Sequence, residues 1–521
     1  MDNNPTPGTP DNGEDFLSRN ILFLREFGAE QVRVVFRSVL RDFNQPNEMP
    51  VIRRKPDLRI FRHTMMYKEI KALCGLPATS KKPSESWSLT RALMKRENGM
   101  TGFRTGSFTD NQQRRIANLF IPNKKIDRLM SLESKIFVCK FNSDGSKLIT
   151  ASQDDIIRIF DASKGTYYRI KRSEMRNVNS SILDIDFSPC SRYYAYSTCL
   201  NYFFVVPTDS ASNHIQLYDV NIGRNRTAMF SIRFSPSDGG RTLVGGCDNS
   251  TIFICDRETS SVRALRTQHF SSVDINAISY VSDQDSNLVV SGCSNGFIKL
   301  WDLRCNYRAD KSASVFVGHL DGITYIDPRN DGHYLLSNAR DQCIKIWDIR
   351  QPTPNSQVQK NPTSPLIEWD YRWGQPPREY YNPKVVLDGD VSIMTYRGHR
   401  VSKALLRAKF SPRLQTGQRY IYTGCSTGRI IVYDVLTGNI KEAIESHRNV
   451  VSDLDWHPHR SEIVSASWDG HVKLNGYRNK PNLKRHNPEK TSRPLRRSRR
   501  IADRQRQSYE ESDEGDELNN W

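Results

Sequence analysis

The chain has 521 residues, a formal net charge of +18 and 37% hydrophobic residues. That length exceeds one ordinary compact domain unless the domain grows by adding repeats, and the basic excess points to acidic partners and to association rather than to a fold. No apolar run reaches the roughly 18 residues needed to cross a bilayer, and the start MDNNPTPGTPDNGED is polar rather than a basic-then-apolar leader, so a soluble intracellular protein with no membrane partner is expected.

Residues 1–120 form an N-terminal extension with amphipathic helices. Val32, Val35, Phe36, Val39, Leu40 and Phe43 fall on one helical stripe, and a lone helix of this kind must bury that stripe, either on the wall of the domain that follows or in a groove of a partner. A weaker stripe of Met66, Ile70 and Leu73 stops at Gly75-Leu76-Pro77.

From 121 to 478 the sequence repeats. An aromatic-Asp dipeptide, or its remnant, closes each of seven copies: Phe160-Asp161, Tyr218-Asp219, Cys255-Asp256, Trp301-Asp302, Trp347-Asp348, Tyr433-Asp434 and the degenerate Asn475-Gly476. The regular intervals match the roughly 40–45 residues of a repeat that folds as one four-stranded propeller blade. In this the sequence resembles the WD40 family, which implies an all-β fold, a seven-bladed WD40 β-propeller. The family pattern further implies a hydrogen-bonded chain of His319, Ser337, Asp341 and Trp347. Buried imidazole and carboxylate must be paired, so such a chain fixes one register. It erodes where Asn295 and Thr427 replace the aspartate and Asn475 replaces the indole, and the last blade is expected to be the weakest.

Two intervals are long. CLNYFFVVPTDSASN, after Thr198, is expected to extend an inter-strand loop of the second blade, and the Pro-rich 351–391 reads as an insertion. Inside it, Trp369 to Arg372 repeats the Trp-Asp-x-Arg letters without a strand before them and is taken as a decoy. A ring must also close or it exposes a strand edge, so the last blade needs an outer strand from ahead of the first copy, most plausibly Lys125–Leu132.

The third position after the aromatic is Ser163, Asn221, Glu258, Arg304, Arg350, Leu436 and, in the last copy, Arg478. Strand pairing therefore demands no arginine there. Only the neighbouring fourth and fifth copies join it to an intact Trp-Asp, at Trp301-Asp302 and Trp347-Asp348. Such arginines either bridge local carboxylates, worth about 0–1 kcal/mol when exposed, or act as a planar fork for a partner. The paired motif resembles that of WD40 substrate receptors of cullin-4 ubiquitin ligases. GSFTDNQQRRIANLFIPN (106–123), DQCIKIWDIR (341–350), MTYRGH (394–399), YIYTGCSTGRIIVYDVLTG (420–438) and SWDGHVKL (467–474) are similar to the WD repeat-containing protein 23 family of cullin-4-associated factors. That resemblance implies a substrate-recognition subunit in stress-response protein turnover, with stress-response transcription factors as a substrate class. Docking on the ligase adaptor and cullin-4 would then run through Trp301, Asp302 and Arg304, through Trp347, Asp348 and Arg350, and through the helix of Val32, Val35, Phe36, Val39 and Leu40.

Residues 479–521 are basic and then acidic, without apolar periodicity, and a disordered tail is expected. Lys484-Arg485 followed by Arg496, Arg497, Arg499 and Arg500 has the spacing of a two-part nuclear import signal, which points to nucleus and cytoplasm. A nuclear scaffold that binds histones or nucleic acid through this tail is the competing reading. No phosphate loop, HExxH or nucleophile elbow is present, so no catalysis, cofactor or metal is expected. The ten cysteines show no metal spacing; Cys247, Cys293 and Cys425 recur at one place in GGC, SGC and TGC and read as small buried packing residues.

Overall fold

A computed structural model describes residues 56–479 apart from 77–87, 100–106, 176–180, 210–214, 221–226, 267–272, 305–311 and 361–368. Its strands form seven four-stranded antiparallel sheets. Blades 1 to 6 span 136–174, 182–219, 229–266, 275–316, 323–397 and 408–445, and blade 7 combines 451–476 with Lys124–Ser131. Lys124–Ser131 pairs antiparallel with His471–Gly476, so the ring closes with the strand ahead of the first copy. Ile126 lies against Gly476, where any Cβ would collide with it.

Central strands of a blade are covered on both faces by neighbouring blades, so they read as apolar runs; all six residues of Cys343–Asp348 are buried. In six blades the register between first and second strands shifts at the start of the first strand, as between Ile323 and Tyr325. Such a bulge re-aims the skipped residue. Three of these donate to a carbonyl at or just ahead of the first strand of the next blade: Asn276 to that of Ile323 at 2.8 Å, Thr324 to that of Leu406 at 2.9 Å and Ser452 to that of Ile136 at 2.7 Å. Cys247, Cys293 and Cys425 are fully buried. The glycine before each lets the next blade approach, since a Cβ on Gly246, Gly292 or Gly424 would stand 2.8, 2.5 or 2.3 Å from Ile275, Ile323 or Val451.

Two expectations are corrected. Blade 2's third strand is Tyr202–Pro207, inside the supposed loop, and Tyr218-Asp219 belongs to its fourth strand Gln216–Asp219; Val206-Pro207 takes the aromatic-Asp place, a substitution that hid the strand. Blade 7 is not depleted: His447 Nδ1 meets Asp469 at 3.1 Å, its Nε2 meets Ser465 Oγ at 2.8 Å, and Asn475 Nδ2 donates to the same hydroxyl at 3.0 Å. The amide supplies the N–H that an indole supplies elsewhere.

In the extension, helices α1 (Met65–Leu73), α2 (Leu89–Glu97) and α3 (Asp110–Ala117) are described. Thr64 caps α1, and Thr109 with Gln112 makes a capping box on α3. The α1 stripe buries Met66 and Ile70 in a cluster with Tyr334, Ile346, Met394 and Tyr433 of blades 5 and 6. The helix of Val32, Val35, Phe36, Val39 and Leu40, and the import residues Lys484, Arg485, Arg496, Arg497, Arg499 and Arg500, lie outside the described residues. Among the described residues no helix is long and apolar enough to cross a membrane.

Candidate functional site

The third strand of a blade ends in a turn that its closing aspartate organises. The carboxylate accepts the N–H two residues on: Asp161 from Ser163 at 2.8 Å, Asp256 from Glu258 at 2.9 Å, Asp302 from Arg304 at 3.0 Å, Asp348 from Arg350 at 3.1 Å and Asp434 from Leu436 at 3.0 Å. This Asx turn needs no arginine. In blades 3 and 6 an arginine from the preceding hairpin pairs the aspartate, Arg241 with Asp256 and Arg419 with Asp434, each at 2.8 Å.

Blades 4 and 5 use the turn arginine itself. Arg304 meets Asp302 through Nε at 2.9 Å and a terminal nitrogen at 2.8 Å. Arg350 meets Asp348 at 2.8 and 2.7 Å and also donates to the Tyr334 hydroxyl at 3.1 Å. Both stay accessible, with side chains 62% and 47% exposed. Burial alone would raise the Asp348 carboxyl, yet the Arg350 hydrogen bonds hold it below the usual carboxylate range. Two of the five N–H donors of a guanidinium engage the carboxylate, which fixes the plane and leaves the group chemically able to serve a second acceptor. The indoles do something else. Trp301 and Trp347 are 3% and 0% exposed and donate to Ser291 and Ser337, each at 2.8 Å. A partner cannot touch them; they hold the strands that carry the arginines, so the contact role narrows to Arg304 and Arg350.

Behind Arg350 the predicted chain is assembled: His319 Nδ1 to Asp341 at 2.9 Å, His319 Nε2 to Ser337 Oγ at 2.6 Å, and Ser337 to Trp347. Among the described residues of blade 4 the Trp301–Ser291 link persists, and Asn295 accepts from the Phe297 N–H at 3.3 Å. In blade 6 the histidine is satisfied differently, with His399 Nδ1 3.0 Å from the Tyr433 hydroxyl and Nε2 2.9 Å from Asn338 Oδ1. The decoy forms a similar local turn, with the Arg372 N–H and Nε donating to Asp370 at 2.9 and 3.1 Å, but at the opposite ends of the strands, where Trp369 donates to Asp321 at 2.6 Å.

The extension reaches the arginine rim. Glu69 of α1 pairs with the buried Arg329 at 2.7 Å, and Tyr334, which holds Arg350, packs against the α1 cluster. Pro56, Leu58, Arg62, Tyr67, Lys71 and Leu436 line part of a notch of ≈ 500 Å³ there. Sequence reading missed this buttress because α1 carries the weaker of the two stripes.

It also missed a buried charge ring on the first strands. Asp184 meets Arg407 at 2.9 Å and Arg233 more closely still, Arg407 meets Asp453 at 3.3 Å, and Lys409 meets Asp455 at 3.0 Å. Asp186 and Asp455 accept the N–H of Phe234 and Phe141 in the next blade, both at 2.8 Å. The recurring LDIDF and DLDW in blades 2 and 7 were its sequence signal.

The WD domain, G-beta repeat model matches residues 127–161, 260–302, 310–348 and 438–474, which includes the last blade. A protein of Caenorhabditis elegans named DDB1- and CUL4-associated factor 11 homolog is 35% identical over 78% of this chain and 71% of its own length. The chain belongs to the DDB1- and CUL4-associated factor 11 family. A homolog of that name from Caenorhabditis briggsae is 33% identical over 77% of this chain and 72% of its own. The LEC14B protein of Lithospermum erythrorhizon is 34% identical over 66% of this chain and 72% of its own. A match over 78% of the chain is long enough to include Arg304 and Arg350.

Proposed function

We propose that this chain is a non-catalytic substrate-recognition subunit of a cullin-4 ubiquitin ligase, held on the ligase adaptor by its arginine rim and presenting protein substrates from its other face. The observation that carries the reading is the match over 78% of the chain to a relative named for association with DDB1 and CUL4. The rim geometry supports it: two exposed guanidiniums on adjacent blades, each locked in plane by its own aspartate, lose little freedom when a second acceptor arrives. Stress-response transcription factors are the proposed substrate class, and Lys484 to Arg500 the proposed import signal for a protein of nucleus and cytoplasm.

Affinity purification with ligase activity blocked tests this. Arg304→Ala with Arg350→Ala keeps both Asx turns, in which Asp302 and Asp348 still accept the backbone N–H of residues 304 and 350, so the propeller folds. Hydrogen bonds from charged donors are worth roughly 1.5–3 kcal/mol each, so recovery of adaptor and cullin-4 drops at least tenfold. Undiminished recovery from the double variant removes the arginines from the interface; absence of adaptor and cullin-4 from the wild-type purification removes the function.

A further inference from the structure

The ends of the strands opposite Arg304 and Arg350 carry cations of a different kind. Arg340 stands in the turn before Cys343–Asp348 and Arg350 in the turn after it, so the two lie on opposite faces of the ring. Lys135, just ahead of the first strand of blade 1, Trp468, in the second turn of blade 7, and Lys403, between blades 5 and 6, share the Arg340 face.

These groups form one continuous patch. Lys135 Nζ lies 4.5 Å from the Trp468 ring centre. Burial first, and then the nearby Lys403 charge, hold Lys135 below the ordinary lysine range. The Lys403 N–H donates to the Tyr371 carbonyl at 2.6 Å, and the Tyr371 ring lies 4.2 Å from the Arg340 guanidinium. Trp468 packs beside Val401, Leu406 and Val450.

The patch carries unmet charge, with Lys135 and Arg340 partly buried. The cations of the buried charge ring and the rim arginines each meet a carboxylate. Among the described residues, Lys135, Lys403 and Arg340 meet none within ion-pair distance, and Trp468 Nε1 and Arg340 Nε are buried donors without an acceptor. The Lys403 charge that adds to the lowering of Lys135 is offset by an anion set between the two. Asp274 and the buried Asp321 are the acids within electrostatic reach of Arg340.

We propose that this face binds an acidic, partly apolar peptide segment of a partner protein, its carboxylates taken by Lys135, Lys403 and Arg340 and its apolar side chains laid along Trp468 and Tyr371. The inference rests on the receptor reading in that the partner is then the substrate. A peptide suits the patch better than nucleic acid does: duplex DNA carries a charge every ~1.7 Å, and its backbone would meet Asp274, whereas a peptide can place its carboxylates beside the cations alone.

The test uses the full chain and fluorescence anisotropy with a fluorescein-labelled peptide alternating Glu and Leu. Lys135→Ala with Lys403→Asn removes two charges. Lys403 has φ +71°, a left-handed conformation that asparagine tolerates, so folding is retained. The expected result is at least tenfold weaker peptide binding with unchanged adaptor recovery, while Arg304→Ala with Arg350→Ala leaves peptide binding intact. If the double variant fails to fold, Lys403→Asn alone, at an exposed side chain, weakens binding about threefold, which is roughly half the logarithm of the double effect. Peptide affinity unchanged by these substitutions overturns the proposal, as does tighter, equally sensitive binding of an oligo-dT of matched charge. Peptide binding by a wild-type chain that recovers no adaptor would sink the receptor reading and leave this site standing.

Discussion

Asn475 donates to Ser465 Oγ and to the Ile463 carbonyl at 3.1 Å and accepts from Ser446 Oγ at 2.8 Å, all in a fully buried position. Asn475→Ala strands those partners, and unsatisfied buried groups cost roughly 1–3 kcal/mol each. Urea denaturation should register a loss of that order, against little change for an exposed control such as Lys441→Ala. The sequence read this residue as decay because a pattern records side-chain type, whereas the blade needs only an N–H within reach of a serine. His399 makes the same point with protons. Burial holds its pKa down at about 4, against an ordinary 6.5, so between those values the unfolded chain binds the proton and the folded chain does not. Its contribution is complete above about pH 6.5 and is lost as pH falls toward 4, each pKa unit being worth about 1.4 kcal/mol. His447 and His457 are lowered as well and add to the slope. The urea midpoint should therefore fall between pH 7 and pH 5, and His399→Gln, which keeps one donor and one acceptor, should flatten that fall.

At the scale of elements, the closing strand was legible because a ring leaves one strand unpaired at each end of the chain and only one alternating segment precedes blade 1. Blade 2 was not, since Val206-Pro207 carries neither the aromatic nor the aspartate that marks other third strands, whereas Tyr218-Asp219 of its fourth strand carries both. Register follows from pairing partners, Tyr194 with Val206 and Phe203 with Tyr218, and these are long-range facts. The α1 helix was read, but its destination was not, because the apolar surface it covers is assembled from two blades. Met66 and Ile70 are both fully buried there, and full burial of such side chains is worth about 1.5–3 kcal/mol each. Ile70→Asp should release α1 from blades 5 and 6, which limited proteolysis would detect as cleavage between 56 and 76 of a chain whose propeller fragment persists. An uncleaved variant would mean that α3 and the Glu69–Arg329 pair hold the extension without the apolar stripe. Removing 124–131 acts on the other side of the ring: it bares the edge of His471–Gly476, and size-exclusion chromatography should show aggregates.

Across the whole molecule, the first strands of the blades meet at a channel whose wall is charged rather than apolar. Asp184, Asp453, Arg233, Arg407 and Lys409 are all buried, and each reaches a neighbour in another blade. Opposing cations hold Asp184 below the usual carboxylate range although burial alone would raise it. The interblade contacts thus include apolar packing further out, the hydrogen bonds of Asn276, Thr324 and Ser452 to the next blade, and fixed ion pairs at the centre. Arg407 joins blade 6 to Asp184 of blade 2 and Asp453 of blade 7, spanning the channel. Arg407→Met retains most of the stem but leaves two buried carboxylates short of a cation, and breaking a buried pair from one side costs roughly 3–5 kcal/mol. Adding Asp184→Asn should restore part of that loss, because it removes one of the uncompensated charges, so the two substitutions are not additive. Salt separates this from a surface effect. Pairs at the rim weaken as the Debye length shrinks, whereas pairs this deep are screened far less, so the penalty of Arg407→Met measured by chemical denaturation should be nearly the same at low and high ionic strength. A penalty that vanished in high salt would place the ring of charges in water and deny it any part in holding the blades in register.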